Sequence, residues 1–478
     1  MFRRRWSGLP ADPVYPTDLS ELGYFVNEDD EIRSTEDPDC YFGFHANKNM
    51  RWNERRRFSM NEAIGKIISS RFDAEGFERV LLPFGTTDPN QPHVQIRVSP
   101  DLDKKSRVIV IFNDSSQEFG VIAFGVIDGR GGVNKGSMID LVRALKKQKS
   151  SASDSSPPGI VIANMGELWW WPEGHRALTP TGRHNIPMNS AVHYGRYHDE
   201  AKNGIPENRT TLEHARHIFE KVLPAMMGKD AKLDVIAAGN ASDNVEAYLN
   251  DDKVWAEVGD KMNSMAILGG FYDPAHFKCE GFKTFMKERV RAYVIRPEPL
   301  DTPIAGPSDN PMDKSSTALG CPAYSAGEEC RIVEMLLIDT QPSLLEWMQR
   351  VALEGESYKN PVFEVIGDPH SVIDSDKWEE ADAAWKVNKS LIVSPGTGYG
   401  AETATAEVNG AEKGGSDVGE RQNGQAAKGD IGSPDGKALE KDHRAVAVGK
   451  ENQQMALANG VEKDGITSED ETGENQVR

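Results

Sequence analysis

Six short apolar runs restrict this chain more than any other feature: 107–112 (RVIVIF), 159–163 (GIVIA), 232–238 (KLDVIAA), 265–269 (MAILG), 291–295 (RAYVI) and 332–338 (IVEMLLI). Each is rich in branched side chains and shows little polar alternation. Such runs predict strands buried on both faces, the situation in a parallel sheet. Only 94–98 (VQIRV) alternates like a half-exposed strand. Helical patterns fall between the runs, at 137–147, 210–226, 244–250 and 343–353. In 210–226, Thr210 and Glu213 form a capping box, and Leu212, Ala215, Phe219, Val222 and Met226 share one face. Strands alternating with helices predict an α/β domain, with a mostly parallel sheet and helices on both faces.

That domain is expected over 51–375, opening with a helix at 54–75 in which Phe58, Ile64, Ile67, Ile68 and Phe72 recur at helical spacing. Residues 1–50 read as an irregular arm packed on the domain through isolated rings such as Tyr15, Tyr24 and Phe42. Segments 150–158 and 298–314 read as Pro/Ser-rich loops, and no internal repeat is found. Residues 395–478 are expected to be a disordered acidic tail. They hold no aromatic residue after Tyr399, and from 401 onward nine basic residues face sixteen acidic ones. Too little apolar surface is available there to offset the ordering entropy.

The net charge of -20 leaves the body of the chain acidic as well. Phosphate recognition needs a basic stripe, so direct nucleic-acid binding is not expected. The basic clusters 3–5, 55–57 and 146–149 are short and read as solvated helix ends or loops. Cys40, Cys279, Cys321 and Cys330 lack CxxC spacing and suit reduced thiols in the cytoplasm or nucleus. No apolar h-region follows the N-terminal arginines, and no apolar run reaches membrane-spanning length.

Chemistry is most legible at 234–242, Asp-Val-Ile-Ala-Ala-Gly-Asn-Ala-Ser. A strand runs into small residues and then a helix, the pattern of the nucleophile elbow in α/β-hydrolases. The frame Ala238-Gly239-Asn240-Ala241-Ser242 puts Asn240 at the centre, where an amide cannot form an acyl intermediate. Ser242 is the alternative elbow candidate, with helix capping as its plainer role. The acid candidates are Asp273 and Asp301. A base should follow the last strand, expected at 332–338, but Asp339-Thr340-Gln341 stands there. His193, His276 and His370 would have to arrive from loops to supply the proton path.

Three other motifs carry weaker signals. Trp169, Trp170 and Trp171 directly follow a buried strand and cannot all face the core. At least one ring is expected on a pocket or partner surface, the alternative being a lid packed on its own domain. With Asn113, Asp114, Glu173 and Asn240 they form the expected pocket or partner-binding set. His214 and His217 share a helix face that points away from the apolar stripe, so they read as solvated, with no metal site. The loop 129–137 (GRGGVNKGS) has Lys and Gly in the wrong order for a phosphate loop and reads as a helix entry, with anion binding as a minor role.

Taken together, the segments FRRRWSGLPADPVYPTDLSELGYFVN, RVIVIFND, GGVNKGSM, GIVIANMGELWWWPEG, LDVIAAGNASDNVEAYL and AILGGFYDP resemble the Argonaute-binding protein 2 domain family, in particular its filamentous-fungal members, over most of residues 1–370. The resemblance implies an α/β-hydrolase-like fold. Founding members act in an Argonaute siRNA chaperone complex needed for heterochromatin, and a related domain ends fungal class II histone deacetylases. An animal branch keeps a hydrolase-type serine at the elbow, where this chain has Asn240. The resemblance therefore implies a pseudoenzyme without cofactor, with protein partners such as Argonaute or a histone deacetylase complex. A hydrolase with an unorthodox site, or a small-molecule or peptide binder using the elbow pocket, are the alternatives.

Overall fold

The computed structural model describes residues 8–193, 196–306, 319–363 and 365. His370, the acidic tail and part of the 298–314 loop lie outside the described residues. In chain order the main sheet contains β1 Glu78–Leu82, β2 Val94–Val98, β3 Arg107–Phe112, β4 Gly159–Ile162, β5 Lys232–Ala238, β6 Met262–Leu268, β7 Val290–Val294, β8 Pro303–Ala305 and β9 Ala323–Ser325. Their order in space is β8-β9-β7-β6-β5-β3-β4-β2-β1. The six strands from β9 to β4 run parallel, and β8, β2 and β1 are antiparallel to their neighbours. This is an α/β-hydrolase-like sheet. After β3 the chain adds β4 on one side, then crosses to place β5 on the other. The carboxyl ends of β3 and β5 therefore meet at a topological switch point, where α/β sheets form their ligand crevices.

The apolar runs become central strands because each has two faces to bury. Along β3, Val108, Val110 and Phe112 point to one helical layer, built from Thr211–His217, Asn240–Leu249 and Glu280–Arg289. Ile109 and Ile111 point to the other, built from Met50–Ala74, Met138–Leu145 and Leu336–Glu354. All six β3 residues are buried. The first helix begins four residues ahead of the expected start because Asn49 caps it, its Oδ1 accepting from the Arg51 N–H at 3.0 Å.

The run 332–338 is a correction. It forms a 3₁₀ turn, Val333–Met335, and the start of the helix Leu336–Glu354. Leu336, Leu337, Thr340, Leu344, Leu345 and Met348 are buried at helical spacing against the sheet. A continuous apolar run fits either period, and here the following helical repeat extends back through it. The strand that closes the parallel part of the sheet is instead Ala323–Ser325, too short to stand out in the sequence.

Residues 8–49 carry a hairpin, Tyr24–Val26 with Ile32–Ser34, whose Tyr24 and Ile32 enter the core beside the first helix. Asp12 lies 2.8 Å from Arg51 and 3.8 Å from Arg55, with all three side chains almost fully buried. Asp30 pairs with Arg71 at 2.6 Å. Its carboxylate also accepts the Asn134 N–H at 2.6 Å, so the amide end of the 129–137 loop is filled by the protein's own anion.

Candidate functional site

Strand β5 ends at Ala238, and the elbow helix Asn240–Leu249 begins two residues later. The strained residue between them is Gly239, at φ 57° and ψ -135°. In a nucleophile elbow the nucleophile itself occupies that sharp turn. The working frame is therefore Ala237-Ala238-Gly239-Asn240-Ala241, and Asn240 is not its centre. The centre carries no side chain. The neighbouring strand explains why: a Cβ at Gly239 would run into the Asp114 carboxylate, which arrives from the loop after β3. Asp114 Oδ2 accepts the Asn240 N–H at 3.2 Å, and Oδ1 accepts the Ser116 N–H at 2.7 Å. The N–H of the residue after the nucleophile is the one a hydrolase aims at its oxyanion. Here a carboxylate already holds it and places negative charge where an oxyanion would need stabilisation.

The flanking residues complete the turn. Asn113 is buried; its Oδ1 accepts the Met165 N–H at 3.0 Å, and its amide donates to the Asp114 carbonyl at 3.2 Å. Asn240 is exposed, and its amide reaches Ser115 Oγ at 3.4 Å. Ser242 lies inside the first helical turn, fully buried, with Oγ donating to the Ala237 carbonyl at 2.9 Å. It does not cap the helix, and among the described residues no histidine bonds it.

Each of the other triad candidates in the described residues has a partner of its own outside the elbow turn. Asp273 caps a short 3₁₀ turn through the Ala275 N–H at 2.9 Å, with exposed His276 at 3.8 Å. Asp301 accepts from the Tyr293 hydroxyl at 2.8 Å and from Ser343 Oγ at 2.5 Å. His193 bonds Ser190 Oγ at 2.8 Å, in a stretch whose Ala191 N–H donates to the Pro10 carbonyl. Asp339 is on a helix rather than at a strand end. The stretch that does follow the closing strand, 326–332, reads AGEECRI and has no histidine.

The tryptophans form one strand of a hairpin, Trp169–Trp171 with Arg176–Leu178. Trp169 and Trp170 are core residues, and Trp171 is half-buried beneath the Arg176 guanidinium, 5.5 Å above its ring. Exposed Glu173 pairs with Arg196 at 2.6 Å. His214 and His217 are buried, contrary to the solvated face expected of them. His214 Nε2 accepts the Asn164 N–H at 3.1 Å, and Nδ1 bonds Asn208 Oδ1 at 2.8 Å. His217 Nε2 accepts the Phe84 N–H at 2.9 Å, while Nδ1 faces Glu207 at 2.9 Å. Both rings satisfy backbone donors next to the sheet edge, which helical spacing alone could not reveal. Among the described residues no group of three or more His, Cys, Asp or Glu could hold a metal ion, and no helix is long and apolar enough to cross a membrane.

Residues that the motifs missed lie near the elbow. Burial, with the Asp243 charge nearby, pushes Glu246 on the elbow helix up to about 7. Beyond the β3 loop, Glu118 and Glu167 face a cavity of about 430 Å³ that the elbow residues do not line. Glu118 belongs to no motif, and Glu167 lies in the tryptophan segment without being singled out there; that each follows a central strand is the one positional signal they share.

The model of the Arb2 domain family matches residues 15–300. Among solved structures, a histone deacetylase from Saccharomyces cerevisiae is similar at 10% identity, over 61% of this chain and 97% of that chain, with a TM-score of 0.35. No curated protein matches the chain.

Proposed function

The chain belongs to the Arb2 domain family, and from that premise we propose that it is a non-catalytic α/β-hydrolase-like interaction protein. Its setting is siRNA-linked or histone-deacetylase-linked heterochromatin silencing, in the nucleus, the cytoplasm or both. Its partners are proteins, with an Argonaute or a histone deacetylase complex as the first candidates. The family supports the setting. The observation that carries the non-catalytic part is the Asp114 carboxylate lying over Gly239. It fills the space of a nucleophile's side chain and takes the adjacent Asn240 N–H. Acyl transfer needs a nucleophile, a base and a free oxyanion donor together. This elbow has a glycine, no histidine bonded at it among the described residues, and an occupied donor.

Two measurements test the proposal. The full chain, tagged at its native locus, is purified and its companions identified; an Argonaute or deacetylase subunit in stoichiometric amount is expected, and its absence counts against the silencing role. The purified chain is then assayed with p-nitrophenyl acetate and butyrate. Hydrolysis at the buffer rate is expected. Turnover that Ser242→Ala abolishes would replace this proposal with the unorthodox hydrolase.

A further inference from the structure

The cavity beside the elbow is bounded by the helix Met50–Ala74, by β2 and the loop leading into it, and by the tryptophan hairpin. Its volume, about 430 Å³, is within the range of small-molecule sites. Glu118 and Glu167 come to it from the loops after β3 and β4. Glu118 accepts from Asn61 Nδ2 at 3.1 Å. Glu167 accepts from Asn164 Nδ2 at 2.9 Å and the Phe119 N–H at 3.2 Å. Among the described residues no ion pair reaches either carboxyl. Burial pushes both upward, and the Glu167 charge adds to the shift of Glu118. Asn61 is 8% exposed, and its Oδ1 is buried without a donor. The floor therefore offers more acceptors than its neutral donors fill, with Asn61 Oδ1 undonated and, among the described residues, no cation paired to either carboxyl.

The cations around the cavity are turned elsewhere. Arg176 and Lys66 both lie on Glu62, at 2.7 and 3.7 Å. Arg79 is exposed, and among the described residues its side chain bonds Ser69 Oγ, at 3.3 Å. The rim is thus net positive above an acceptor-rich floor. A polybasic chain would be repelled at the rim, and a simple anion would be repelled at the floor.

We propose that this cavity binds a small amine, with an ammonium or guanidinium group seated against Glu118, Glu167 and Asn61 Oδ1 and an uncharged or anionic remainder facing Arg79. The proposal is independent of the silencing role, since a ligand site is compatible with any partner. Charge-assisted hydrogen bonds from the ligand would supply what the floor lacks.

Calorimetry on the full chain with 5-aminopentanoate, pentylamine and pentanoate tests this. Both amines are expected to bind, the zwitterion more tightly, and pentanoate is not. Glu118→Gln and Glu167→Gln should each weaken amine binding about tenfold or more. Arg79→Gln should remove only the zwitterion's advantage. Where a glutamate variant fails to fold, the wild-type chain still answers through the order of its affinities, with 5-aminopentanoate tightest, pentylamine next and pentanoate unbound. The charged and titratable groups around the pair are Arg57, Glu62 and Lys66 from the helix, Arg79 and His93 from β1 and the approach to β2, and His175 and Arg176 from the hairpin. Pentanoate binding as tightly as the amines, no heat from either amine, or folded glutamate variants with full amine affinity would each overturn the proposal.

Discussion

At Gly239 a single backbone conformation decides what the elbow can do. Its positive φ suits glycine, and the Asp114 carboxylate occupies the volume a Cβ would need. Gly239→Ala should cost at least about 2 kcal/mol, from backbone strain plus the clash. Urea unfolding of Gly239→Ala, Asp114→Gly and the double variant measures the two parts. The double variant should recover the clash and keep the strain, and strict additivity would remove Asp114 from the account. Two buried titratable groups set opposing pH slopes. Burial, with His217 nearby, pushes His214 down from 6.5 to about 3. Its contribution to stability is full above 6.5 and is lost as pH falls from 6.5 towards 3. Glu246 is raised from 4.5 to about 7, so its contribution is full below 4.5 and lost as pH rises through 4.5 to 7. Urea midpoints measured against pH should show Glu246→Gln with a shallower decline between 4.5 and 7, and His214→Gln without part of the acid-side decline. Variants that keep the wild-type slopes would show that these groups do not set them.

Among the elements, the central strands were legible because β3 to β7 each bury both faces, which writes an uninterrupted apolar run into the sequence. Edge elements were not. Glu78–Leu82 exposes Glu78 and Arg79, and Ala323–Ser325 contributes three residues. The run 332–338 shows the converse error, since apolar continuity does not distinguish a strand from the buried side of a helix. The helix Thr211–His217 continues through a π turn, Ile218–Val222, into Leu223–Met226. Pro224, which cannot donate to the preceding turn, accounts for the widened segment. The capping residue Thr210 was readable, its Oγ1 accepting the Glu213 N–H at 3.1 Å. The burial of His214 and His217 was not readable, because their partners Asn164 and Phe84 come from distant parts of the chain.

For the molecule as a whole, the two ends of the chain carry opposite expectations. Residues 8–49 supply Asp12 to two buried arginines, Asp30 to Arg71, and Tyr24 and Ile32 to the core. A chain beginning at residue 50 should lose its cooperative thermal transition, since unpairing a buried charge costs about 3–5 kcal/mol and more than one is exposed to that loss. A transition kept within a few degrees of the full chain would show the arm to be dispensable. Removal of residues 401–478, whose composition offers no core, should leave the melting temperature unchanged to within about 2 °C, because stability scales with buried apolar surface. A large fall would refute the reading of that stretch as a tail.

The sequence by itself determined the fold class, because the solvent preference of each side chain repeats with the period of its element. It also determined the location of the elbow, because only small residues permit a turn that sharp. The tertiary structure alone decided what the elbow holds. Asp114 and Gly239 are 125 positions apart, and the crossover from β4 to β5 brings them into contact. The pairing of β3 with β4 gathers Glu118 and Glu167 at one cavity, and the crossover helix turns two apparently solvated histidines into buried acceptors. Composition and periodicity report the environment along a chain, whereas these features depend on which distant atoms become neighbours.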